Sequence, residues 1–383
     1  MPALDYPIKA TLQAGQAGAP RVRTLAAMLL AASLLSCASQ PANTPQPAGS
    51  ADAHTLIDRA LPRNLSDRSG WANDIYIGLT TQQIPPSHEN ICAVVAVIEQ
   101  ESGFQVNTVI PGLPAIAWKE IHTRAENAGV PWVVVHTALD LSSPSGRTYA
   151  ERIDHARTEK DLSDIYEDFI GSVPMGRTLF ADHNPIRTRG PMQVNVAFVK
   201  QSAAAKTYPY PVKDTLADEL FTRRGSVYFG IAHLLAYPAP YPRYLFRFAD
   251  YNAGQYASRN AAFQAALGQI AGMPVTPDGA LLATNSSAKD AGNTEAAVLA
   301  LSGRLDMAGD SIHGALEEGK TAQFERTSLY KRVFALADRK AGHPLPHAVV
   351  PQISLQSPKI TRHLTTDWYA HRVNDRFQQC LNR

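Results

Sequence analysis

The chain has 383 residues, 45% hydrophobic and 18% charged, with a formal net charge of +2. That is enough apolar material for a sizeable core, and too slight and too scattered a basic excess for a nucleic-acid surface, so nucleic acid is not an expected partner. No Zn-protease, P-loop or Cys-pair metal motif is present. His343 and His347 stand four apart, but the prolines between them deny a shared helical face, so neither metal nor cofactor is expected.

Taken in order, residues 1–36 read as an address. Lys9, Arg21 and Arg23 precede an apolar run over 25–35 that is too short to span a bilayer and fits a signal-peptide core. The tetrad Leu34-Leu35-Ser36-Cys37 resembles the lipobox of bacterial lipoproteins. By that resemblance Cys37 is the acylated first residue of the mature protein. Ala38 after it, where Asp would retain the protein at the inner membrane, implies the periplasmic face of the outer membrane. Residues 37–54, rich in Pro, Ala and polar residues, read as a disordered tether.

Residues 56–79 read as an amphipathic helix broken at Gly70. The central stretch is S-H-E-N-I-C-A-V-V-A-V-I-E-Q-E-S-G-F, residues 87–104. Pro85-Pro86 cannot continue a helix, Ser87 is a good N-cap, and Gly103 is a natural left-handed stop. Between 91 and 98 nearly every side chain is apolar, so this helix belongs in the middle of a domain. Glu99 and Glu101 sit about 200° apart around it, so at most one faces any given cleft. Desolvation and the negative end of the helix dipole both favour the protonated form there, which is what a general acid needs.

Further along, 115–127 reads as a helix stopped by Gly129. Residues 132–141, with Val133-Val134-Val135, admit either a strand or a buried helix. Residues 149–169 form a charged amphipathic helix or a pair, and 173–189 a loop with a hairpin through 182–185. Helices are expected over 192–206, 216–235, 243–251 and 256–271. A Gly/Ser/Asn-rich loop covers 274–294, followed by helices over 295–305, 321–339 and 366–381 and a short strand at 353–355. Besides Cys37 the chain holds only Cys92 and Cys380, which in an oxidising compartment have one intramolecular pairing; a buried free thiol at Cys92 is the alternative.

Three ordered blocks add a resemblance. Glu101-Ser102-Gly103-Phe104, then Gly190-Pro191-Met192-Gln193-Val194-Asn195, then Tyr251-Asn252-Ala253-Gly254 preceded by Gly225-Ser226-Val227-Tyr228-Phe229, together resemble soluble-lytic-transglycosylase-type domains of the lysozyme superfamily. The resemblance implies a mainly α fold. A lysozyme-like core spans 55–104 and 190–272, an inserted, mainly helical subdomain 105–189, and a C-terminal helical extension 273–383. It implies a lytic transglycosylase acting on peptidoglycan glycan strands. Glu101 would be the single acid and base, forming a 1,6-anhydro-muramic product with no second carboxylate.

By the same resemblance Ser102, Gly190, Met192, Gln193, Tyr251 and Asn252 line the substrate, with the Tyr251 hydroxyl aimed at Glu101. The chain departs from the family in the length of 105–189, in Arg189 before Gly190, and in Asp250 before Tyr251. Two alternatives follow: a muramidase whose water is placed by Asp250 or Asp182, and a non-catalytic peptidoglycan-binding envelope lipoprotein.

Overall fold

The computed structural model describes residues 49–203, 208–282, 292–355 and 363–383, so the signal segment, Cys37 and most of the tether lie outside the described residues. The described chain is mainly α. It begins with α1 (Ser50–Ala60), α2 (Arg68–Thr81) and α3 (His88–Glu101). Residues 50–54, read as part of a tether, are helical instead: Ala53, Ile57 and Ala60 share one helical face and are buried, which draws 50–54 into α1. The break in the lead-in falls between α1 and α2, not at Gly70. Gly70 lies inside α2, where the Arg223 guanidinium crosses so closely that a Cβ would collide with it.

The stretch 105–189 holds α4 (Leu113–Asn127), α5 (Trp132–Leu139), α6 (Tyr149–Asp154), α7 (Glu159–Ser172) and α8 (Gly176–Phe180). Capping boxes at Thr148/Glu151 and Thr158/Asp161 start α6 and α7 and settle the pair. Leu113, Leu139, Tyr149, Ile153 and Ile165 give these helices an apolar cluster of their own. The β-branched run at 133–135 is helical, and Val133 and Val134 are exposed; neither strand nor buried helix describes it. Val134 and Val135 bond back to the Pro131 carbonyl, a local turn that overrides strand propensity.

A two-stranded hairpin, β1 (Thr188–Arg189) and β2 (Val194–Asn195), then precedes α9 (Val196–Ala203), α10 (Leu216–Glu219), α11 (Arg223–Leu235), α12 (Tyr244–Ala253) and α13 (Ala257–Ala271). The hairpin lies later than 182–185, and residues 192–195, read as helix, are its turn and second strand. Thr222 accepts from Gly225 N and separates α10 from α11 within 216–235.

α14 (Gly292–Ala300), α15 (Ser302–Leu305), α16 (Gly309–Glu317) and α17 (Ser328–Ala341) build a second large cluster on α13 through Phe263, Phe324, Tyr330 and Phe334. The short pair β3 (Ser354–Leu355) and β4 (Leu364–Thr365) leads into α18 (Thr366–Leu381). That last helix is part of the core. Its Tyr369, Ala370, Val373, Phe377 and Cys380 enter the main core with α1–α3, α11 and α12. At the centre of that core, every side chain from Ile91 to Ile98 is fully buried. No helix among the described residues is long and apolar enough to cross a membrane.

Candidate active site

The site starts where α3 ends. Ser102 closes the helix, its hydroxyl donating to the Ile98 carbonyl at 3.2 Å. Gly103 and Phe104 both take left-handed backbone, φ 57° and 66°, which turns the Phe104 ring edge-on to Trp71 at 5.1 Å. The two glutamates are sorted by partner. Glu99 faces Arg383 Nη2 at 3.5 Å, at the end of the chain. Glu101 accepts a short hydrogen bond from the Tyr369 hydroxyl and is pushed up to about 7. Burial is the main cause; the nearby Glu159 carboxylate pushes the same way, and the Tyr369 bond pulls partly back.

Two antiparallel helices fix that carboxyl. α18 lies along α3, and Cys92 is bonded to Cys380 with the Cα atoms 5.5 Å apart. Glu101 lies about 14 Å along α3 from Cys92, and Tyr369 about 17 Å along α18 from Cys380, at 1.5 Å per residue. The disulfide clamps one end of the pair and the phenol–carboxyl bond the other. Thr366, three residues before Tyr369 on the same face, donates to Asn252 Oδ1 at 2.8 Å. The first turn of α18 thus holds both Glu101 and the exposed Asn252.

Beside it sits the hairpin turn. Gln193 N bonds to the Gly190 carbonyl at 2.9 Å, with φ 74° at Gly190 and 49° at Gln193. A Cβ at Gly190 would lie 1.8 Å from the Leu220 carbonyl oxygen, so the glycine is required by the protein's own backbone and not by an approaching sugar. Met192 is fully buried, its N–H donating to Ser226 Oγ at 3.0 Å. It is core and offers no face to a substrate, against the expectation for it. Gln193 is half-buried and reachable. Its amide nitrogen donates to Glu159 Oε2 and to the Gly190 carbonyl, both at 3.2 Å, and its oxygen accepts from Thr188 Oγ1 at 2.9 Å.

Burial raises the Tyr251 phenol and the nearby Glu101 carboxylate pushes it the same way, but its hydroxyl donates to the Met192 carbonyl at 2.7 Å. The bond to Glu101 comes from Tyr369 instead. His233 stands against the Tyr251 ring at 4.9 Å and donates to the Tyr251 carbonyl at 3.1 Å; burial lowers it to about 4, so it is neutral.

Asp250 is 1% exposed and accepts from Tyr237 OH at 3.0 Å, Tyr241 OH at 2.7 Å, Tyr256 N at 2.9 Å and Ser258 N at 2.6 Å. Buried among these four donors, Asp250 ties α12 to the connection before it and to the start of α13 and faces no open cleft, so it is not placed to orient a water. Asp182 falls in a short 3-10 turn, and its side chain lies outside those described. Arg189 is buried too, pairing with Asp218 at 3.1 Å.

Three residues entered this site without a sequence signal. Tyr369 and Thr366 come from 268 and 114 positions away from the groups they bond. Glu159 reads in sequence as an ordinary acidic residue in the first turn of a helix. No group of His, Cys, Asp and Glu among the described residues could hold a metal ion.

Fold and site together define a mainly helical protein whose innermost helix ends in a desolvated, proton-holding carboxyl. It belongs to the family described as "Protein of unknown function (DUF1615)", whose model matches residues 64–383. It is 45% identical over 369 residues to the "Uncharacterized protein YaiW" of Escherichia coli (strain K12), a match covering 95% of this chain and 100% of that protein. No solved structure matches the chain.

Proposed function

We propose that the chain is a peptidoglycan-cleaving enzyme, a lytic transglycosylase on a lysozyme-like helical core. Lipid on Cys37 would anchor it at the periplasmic face of the outer membrane. The reading rests on one observation: Glu101 is held at the end of the buried α3 with its carboxyl raised to about 7. A group poised there is half protonated near neutrality and can serve first as acid, then as base.

In this mechanism Glu101 protonates the glycosidic oxygen between N-acetylmuramic acid and N-acetylglucosamine, and the bond to the anomeric carbon breaks. The muramic 6-hydroxyl then attacks that carbon, passing its proton to the Glu101 carboxylate and closing the 1,6-anhydro ring. Tyr369 orients the carboxyl throughout. Gln193 and Asn252 are the amides placed to meet hydroxyl or N-acetyl groups, since each is accessible while Met192 is not.

A second reading, hydrolysis, gains support from Glu159. It acts on Glu101 electrostatically and is steadied by Gln193, so it is the second carboxylate that Asp250 fails to supply. Digestion of purified murein sacculi with mass analysis of released muropeptides separates the readings. Anhydro-muramic ends support transglycosylation and reducing ends support hydrolysis; binding without release rejects both in favour of a non-catalytic envelope protein. Glu101→Gln should abolish release while retaining binding.

A further inference from the structure

Helices α4, α5, α7 and α8 surround a cavity of about 1010 Å³. An apolar cavity of about 150 Å³ already takes up benzene, and ligand pockets run to about 1,000 Å³. The inner wall is hydrocarbon: Leu113, Ala117, Leu139, Ile153 and Ile165 are all buried there. The mouth is marked by lining side chains that also meet solvent. Val130, Val134 and Phe180 are 40%, 54% and 45% exposed, and beside them stand the exposed Arg124 and Arg187.

The surroundings share this character. Among the described residues, ten of the thirteen strongly exposed large apolar side chains fall between Val109 and Phe180. A surface so enriched in one unit marks contact with something apolar. Arg124 is paired at 2.7 Å with Glu120, which lines the cavity with it, Glu159 lies in the wall, and Arg187 brings a second permanent positive charge to the rim.

We infer that this unit is a binding chamber for a single-chain anionic amphiphile, its hydrocarbon chain inside the cavity and its head group at Arg124 and Arg187. A chain lying along these walls gains dispersion contacts while leaving water, and the arginines at the rim offer donors that suit a carboxylate or phosphate better than a neutral head. The chamber also shares a wall with the candidate active site. Glu159 and Thr188 line it, and both are hydrogen-bonded to Gln193. The inference goes beyond the glycan-cleaving proposal and does not depend on it.

The test is a titration of the full chain with cis-parinaric acid, whose fluorescence rises when its chain leaves water. Saturable one-to-one binding is expected. Palmitate and lysophosphatidylglycerol then compete in separate arms; displacement by either supports the chamber and identifies which anionic source it accepts, and displacement by neither overturns it. Ala138→Trp, which fills the cavity from a half-buried position, should weaken binding about tenfold or more.

If that variant fails to fold, Arg124→Ala/Arg187→Ala decides: it should weaken palmitate about tenfold and leave hexadecanol competition unchanged. Equal loss for both competitors, or no loss for either, overturns the inference. Glu101→Gln should bind the probe as the parent does, so loss of glycan cleavage and loss of this chamber are read separately.

Discussion

Replacing Glu101 by Gln removes a charge that the fold resists, and the effect on stability should therefore depend on pH. Burial carries the acid from its ordinary value of 4.5 up to about 7 in the folded chain. Below 4.5 both folded and unfolded chains hold the proton, and the group does not distinguish them. Between 4.5 and about 7 the folded chain holds it more tightly, so stability falls as pH rises through that window. Above it both states are ionised and the loss is complete. At about 1.4 kcal/mol per tenfold, the interval amounts to roughly 3 kcal/mol.

Gln is neutral throughout and still offers Tyr369 an acceptor oxygen. Glu101→Gln should be close to neutral at pH 4 and stabilising by roughly 3 kcal/mol at pH 8. Urea unfolding of both proteins at the two pH values, with the disulfide intact, measures this, and ionisations common to both cancel in the difference. If the difference between them is the same at pH 4 and pH 8, the Glu101 carboxyl is solvated and the reasoning from burial fails.

Tyr369→Phe removes the hydrogen bond that lowers Glu101, so the window over which the Glu101→Gln difference develops should extend to higher pH from the same lower edge; an upper edge moved downward would contradict the assigned bond. His233 is depressed from 6.5 to about 4, so its share of stability is present above 6.5 and lost as pH falls through 4; His233→Phe should remove roughly 3 kcal/mol of acid sensitivity, read from unfolding midpoints at pH 7 and pH 3.5. Reducing the Cys92–Cys380 bond opens a loop of 288 positions, for which chain entropy sets a ceiling of roughly 5–6 kcal/mol. The melting temperature should drop with reductant in the parent and not in Cys92→Ser/Cys380→Ser.

What sequence made legible here is what short-range chemistry controls. Pro85-Pro86, Ser87, eight successive apolar residues and Gly103 define α3 within a few turns of chain, and that helix sets the backbone position of Glu101. Two remaining cysteines admitted one pairing. The rest depended on distant backbone. An amphipathic α18 says that one face is buried, but not against which helix, so Tyr369 could not be matched to Glu101. Gly190-Pro191-Met192-Gln193 forms a hairpin because Leu220 and Ser226 crowd it from below, which no local pattern around Met192 announces.

The inserted segment is where these two kinds of information meet most sharply. From sequence alone, residues 105–189 read as a mainly helical stretch, with nothing to say how it meets Glu101. The helices within them carry their own capping boxes and share an apolar cluster, and α7 starts where that cluster meets the hairpin. Thr158 caps the helix, so its first residue, Glu159, is projected from a fixed end towards Gln193 and into the field of Glu101. Residues 105–189 therefore belong to the electrostatics of Glu101, because the charge at the start of α7 raises its carboxyl in the same direction as burial does.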